Sequence, residues 1–347
     1  MSNILDMFGL NSEQLEILYN IEKNLTERDI QSNPKTAEPR KKWLEQWLRT
    51  LDNTLYKSSE LRAFKEPELY DAINRVSSTN QSNTWFYLVM LEATLFQAYF
   101  PLDEDKKNTK DFAKLKYTRD TDYLKQIATI TGLMRPEYID RYLETHKKVF
   151  RKISGKSAKA IITSLSILAV TAIAAAIAAI YAGPIAVAIF GKGFELSGAA
   201  LTSACLAMAG GGAIAVGGLG VAGGIAAIAG GGALLGAAGS GAAAAAVLAF
   251  AKKSPEFTLS QTAKLEVVLR EVLLNAQQDT ESAQAVISRL QSQIRNLQNE
   301  LDRLTKEQEK DKEAIQNLKK SVDILTKAVK DMVVFKSSYE IGINTAG

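Results

Sequence analysis

The 56 residues from Leu196 to Ala251 carry no charge, and 15 of them are glycine. A second uncharged run, Ala160 to Gly191, lies just ahead, and the only charges between the two are Lys192 and Glu195. About 20 apolar helical residues cross a bilayer, so the centre of the chain is long enough for several crossings. A core helix of a water-soluble protein rarely needs one such run. The pattern points to a protein that works in a membrane, or that carries a segment able to enter one.

Charge is confined to two polar wings. Residues 1–159 hold 26 basic and 23 acidic groups, and residues 252–347 hold 15 and 14. Neither wing is basic enough to make nucleic acid a main partner. A single cysteine, Cys205, excludes an intramolecular disulfide. The opening MSNILDMFGL has neither a positive n-region nor an apolar h-region, so no cleaved secretory signal is expected. The division expected is a helical bundle at 1–155, an apolar Gly/Ala-rich membrane segment at 156–253, and a coiled coil with its tail at 254–347.

In the first wing, Asn11 with Gln14 three residues on predicts a helix start, with the helix reaching about Glu27. Asn33-Pro34 and Glu38-Pro39 break the chain, and Trp43, Trp47, Leu48, Leu51 and Leu55 then fall at helical spacing. Further helices are expected at Pro67–Val76, 110–131 and 136–155. The run WFYLVMLEATLFQAYF from Trp85 is only 16 residues long and contains Glu92, which predicts a buried core helix rather than a crossing. No segment shows strand alternation.

In the apolar centre, Ile161, Leu165, Leu168, Ile173, Ile177 and Ile180 stand in an alanine background. Each contributes roughly −0.3 to −0.6 kcal/mol to insertion, and Gly183-Pro184 ends or kinks the stretch. Upstream, Lys147, Lys148, Arg151, Lys152, Lys156 and Lys159 form a cluster with no acid among them, suited to anionic headgroups. Lys252 and Lys253 stand at the far end, so both wings are expected on one side and the crossings to be even in number, a hairpin at least. The second run contains AGGGAIAVGGLG at 209–220 and AGGGALLGAAGS at 229–240, an imperfect repeat. Leu219, Ile225 and Leu234 are its candidate inserting residues. Gly211, Gly220, Gly224, Gly231, Gly232 and Gly236 let backbones approach closely, while each glycine weakens a helix by about 1 kcal/mol relative to alanine. Such a segment suits storage in water with later insertion, or packing against its own copies.

In the last wing, Leu290, Ile294, Leu297, Leu301 and Leu304 repeat at intervals of three and four. The register resumes after Gln308 and Asp311 with Ile315, Leu318, Val322 and Leu325. That is a coiled-coil seam. It predicts one helix from about Leu259 to Val334, roughly 110 Å long, unless the chain folds back near Gln308–Asp311. Catalytic chemistry finds no support: no Cys/His cluster, no nucleophile elbow and no phosphate loop, so no enzyme activity, cofactor or metal is expected. The only histidine, His146, is expected at the surface.

An apolar hairpin carried between long amphipathic helices resembles the α-helical pore-forming toxins over residues 160–335. That resemblance implies a bundle that hides a hydrophobic tongue, then releases it and assembles into a pore. Residues 197–241 separately look like the Gly/Ala-rich membrane segment of the interferon-alpha-inducible small membrane proteins and their bacterial relatives. The expected fold is all-α. The expected function is an oligomeric membrane-permeabilising or channel-forming protein, either a pore-forming toxin or a gated defence effector, with the lipid bilayer and further copies as partners. The alternatives are a non-conducting membrane-anchored coiled-coil scaffold, or one component of a two-protein toxin. On the pore reading, Gly211→Leu or Gly231→Leu abolishes leakage while membrane binding survives.

Overall fold

The computed structural model describes residues 6–55, 62–99, 111–112, 114–155, 227–235, 248, 251–252, 255–306 and 311–346. The fold is all-α. Among the described residues six helices form the first wing: α1 (Ser12–Ser32), α2 (Ala37–Leu55), α3 (Glu66–Thr79), α4 (Thr84–Leu95), α5 (Thr121–Thr131) and α6 (Glu137–Ser154).

Their boundaries have local causes. The Asn11 side chain accepts from the Gln14 N–H at 2.9 Å, and the Gln14 side chain accepts from the Asn11 N–H at 3.0 Å. This reciprocal cap satisfies two helix-end donors and contributes about 1 kcal/mol. α1 continues past Glu27 to Ser32, because Asn33-Pro34 is the first real break. Asp120 caps α5 through the Tyr123 N–H at 3.0 Å. Gly132 and Gly155 end α5 and α6 in the left-handed conformation, at φ 66° and 63°. Trp43 and Trp47 stack at 5.9 Å on the buried face of α2. α4 is the core helix its length and Glu92 predicted, buried on all sides.

The last wing departs from one continuous rod. α7 (Pro255–Val267) runs directly into a π-helix (Val268–Ala276). The chain then turns through Gln278 at φ 56°. α8 (Thr280–Lys306) follows, capped by Asp279, and α9 (Lys312–Ala346) is capped by Asp311. The rod expected from Leu259 to Val334 is therefore three helices. α8 and α9 pack on each other, and Tyr339, late in α9, donates to the carbonyl of Leu274, ahead of α8, at 2.5 Å. They thus form an antiparallel hairpin, the fold-back that the polar interruption at Gln308–Asp311 allows. Leu290, Ile294, Leu297, Leu304, Leu318 and Leu325 are buried along its seam, with Leu301, Ile315 and Val322 half-buried.

The two wings share one hydrophobic core. α7 lies inside it, packed against α6 and α9, and every residue from Thr258 to Val267 is buried, the polar ones included. Among the described residues no helix is long and apolar enough to cross a membrane.

Candidate functional site

A short piece of the glycine-rich run, residues 227–235, is docked inside this body. Three sets of contacts hold it. Ala227 and Ile228 pair antiparallel with Leu10 and Gly9, and the Ala229 N–H donates to the Phe8 carbonyl at 2.9 Å. The Gly230 N–H donates to Glu92 Oε1 at 2.8 Å. The Leu235 carbonyl accepts from Arg289 Nε at 2.7 Å and Gln293 Nε2 at 3.3 Å on α8. A buried piece of irregular backbone must have its polar groups paired, and here side chains from α4 and α8 do so.

The glycines make the fit. Gly230 and Gly231 adopt φ 60° and 81°. A Cβ on Gly231 would lie 2.2 Å from the Gln261 carbonyl oxygen of α7, and one on Gly230 would lie 2.6 Å from Val268 Cγ2 and 2.9 Å from Leu88 Cδ2. Both the handedness and the space exclude a side chain. Gly232 opens a 3-10 turn, Gly232–Leu235, that packs between α7 and α8 and buries Leu234 and Leu235. So Gly231 gives close backbone approach, as expected of it, but toward α7 of its own chain.

Beneath the segment lies a buried charged centre. Lys264 of α7 donates to Glu92 Oε2 of α4 at 2.8 Å, and both side chains are almost wholly buried. Glu22 of α1 is buried beside them, and among the described residues its Oε1 has no hydrogen-bond partner. Burial, and next the Glu92 charge, push the Glu22 carboxyl well above the usual range, against the smaller opposing pull of Lys264. His146 of α6 is buried rather than exposed. Burial, then Lys264 and Arg119, hold its imidazole down at about 3. A lone histidine in a basic run gave no sign of this, since α6 turns it inward against the Phe150 ring.

Of the expected headgroup cluster, Lys147, Lys148 and Arg151 are exposed on α6. Lys148 pairs with Glu144 at 2.7 Å, and Lys152 reaches across to Asp331 of α9. Lys156 and Lys159 lie outside the described residues. So do Ile161, Leu165, Leu168, Ile173, Ile177, Ile180, Leu219 and Ile225, together with Gly211, Gly220, Gly224 and Gly236. The groups that the sequence did not mark are Glu22, Gly230 and Lys264. The one available signal was α7 itself, whose charged and hydroxyl residues leave no polar face for solvent.

No family model matches this chain, and no curated protein or solved structure is similar to it. Among the described residues no cluster of His, Cys, Asp and Glu is placed to hold a metal ion. The arrangement is instead suited to holding a segment: an apolar strip anchored by hydrogen bonds to charged side chains that are themselves buried.

Proposed function

We propose that this chain is an oligomeric, membrane-permeabilising or channel-forming α-helical protein, whose apolar centre (residues 160–251) forms the membrane part. The observation that carries this reading is the docking of 227–235. A stretch of the uncharged run is stored against α7 by three polar anchors and by glycines that no other residue can replace. A segment fixed permanently in a core needs no such mixture, because larger apolar side chains hold better. The exposed Lys147, Lys148 and Arg151 would meet anionic headgroups next to the start of the apolar run. The anchored-scaffold alternative draws less support, because the seam it would offer a partner is occupied within the chain by the α8–α9 hairpin.

The test is dye release from vesicles containing anionic lipid, with co-sedimentation, comparing the wild type and Gly231→Ala. The wild type is expected to bind and leak. Gly231→Ala cannot seat its segment against Gln261, so it is expected to leak at lower protein concentration while its circular dichroism stays helical. The seat thereby reverses the outcome expected from helix packing alone at Gly231. Binding without leakage in either protein would favour the scaffold, and neither binding nor leakage would overturn both readings.

A further inference from the structure

Glu92 has two duties at the seat: one oxygen accepts from the Gly230 N–H and the other from the Lys264 ammonium, each at 2.8 Å. Its negative charge is paired with the Lys264 ammonium, and both groups are out of water. Glu22, on helix α1 packed against α4, is buried and interacts with both Glu92 and Lys264, and no donor among the described residues reaches its Oε1. Other groups that interact with this centre include His146 from α6, and Arg119 and Tyr117 from the chain leading to α5. His146 is neutral in the closed body. Arg119 is engaged with the Phe96 carbonyl at 2.8 Å and lies over the Tyr117 ring.

We propose that the Glu22–Glu92 carboxylate pair is a proton-gated latch on the glycine-rich segment, closed while the pair holds one negative charge and released when it must hold two. This deepens the function proposed above and rests on its premise that residues 227–235 can leave their seat. A second carboxylate charge in this dry space can be stabilised only by water. The part that can yield to water without unfolding a helix is the backbone of 229–231, which carries the hydrogen bond to Glu92. The sign follows from linkage. The closed body keeps Glu22 protonated above its ordinary range, whereas an opened, hydrated Glu22 loses its proton near 4.5. The closed form is thus favoured at low pH and weakened as pH rises through that window, by up to about tenfold per pH unit. His146 acts with the opposite sign and only below its ordinary value of 6.5, so above that pH the Glu22 limb stands alone.

The experiment is hydrogen–deuterium exchange on the full chain without lipid, from pH 6.5 to 8.5, corrected for intrinsic exchange. Peptides covering 227–235 are compared with peptides from α8, and vesicle leakage is measured in parallel. In the wild type, opening of 227–235 is expected to rise by up to about tenfold per pH unit relative to α8. Glu22→Gln is expected to remove that dependence. The double variant Glu92→Gln, Lys264→Met keeps an acceptor for the Gly230 N–H without buried charge. Burial remains the larger cause of the raised Glu22 carboxyl, so this variant is expected to keep part of the dependence. Glu22→Met, which cannot ionise, is expected to be flat and covers the case in which Glu22→Gln folds poorly. A wild-type profile that is flat, or one that survives in both Glu22 variants, overturns the latch. Exchange that responds as expected while vesicles never leak upholds the latch and removes the permeabilising reading. Leakage with flat exchange upholds that reading and removes the latch.

Discussion

Glu266, like Glu22, shows how a buried side chain shapes the pH response of the whole body. It is fully buried at the end of α7 and accepts from Arg270 at 2.5 Å. Arg270 also lies 2.9 Å from Asp331, which Lys152 reaches from α6. Burial raises the Glu266 carboxyl to about 8; Arg270 opposes the shift and Asp331 adds to it. The folded chain therefore holds a proton that the unfolded chain sheds near 4.5. The stability from this group is complete below 4.5 and is lost as pH rises to about 8. The urea midpoint is expected to fall between pH 6 and pH 8, with a limiting slope of about 1.4 kcal/mol per pH unit from this residue. Glu266→Gln, which cannot ionise, is expected to flatten that decline and to be the more stable protein at pH 8. An unchanged slope in Glu266→Gln would place the titration elsewhere.

At the scale of elements, the α8–α9 hairpin turns a seam that a partner chain would otherwise fill into an internal contact. Leu297 is 1% exposed, whereas Leu301 is only half-buried. Leu297→Ala is expected to cost about 2–4 kcal/mol in urea unfolding, and Leu301→Ala clearly less. Equal losses at both positions would mean that the seam is closed by a second chain. The heptad repeat was readable because a spacing of three and four depends only on neighbours along the chain. It could not say whose face fills it, since a long rod and a folded-back pair carry the same repeat. What decides is two local caps, Asp279 and Asp311, each of which reads in isolation as an ordinary polar residue. The Asn11–Gln14 cap was legible for the same reason that the hairpin was not: both of its members lie within one turn. Glu92 was legible only as the reason α4 belongs in a core. Its partner Lys264 is 172 residues away, a separation at which no periodicity survives. The π-helix after α7 left no trace in composition either. It needs only one extra residue per turn, and tertiary packing supplies the cause.

For the whole molecule, the decisive property is that 227–235 joins the two wings. It pairs with Gly9 and Leu10 from the first wing, and it hydrogen-bonds to Arg289 and Gln293 in the last. If insertion requires this segment to leave, tying it to its first-wing partner must stop leakage without altering the body. Gly9 and Ile228 are register partners in the short ladder. Opposed residues in an antiparallel pair stand about 4.5–5.5 Å apart at Cα, within the span of a disulfide. With Cys205→Ser as background, the pair Gly9→Cys and Ile228→Cys is expected to bind vesicles but not leak when oxidised, and to recover leakage on reduction. The uncrosslinked background should leak under both conditions. Leakage by the fully oxidised protein would show that the apolar run reaches the membrane while 227–235 stays seated. The membrane part would then lie upstream of residue 227, and residues 227–235 would act as a fixed strut between the wings.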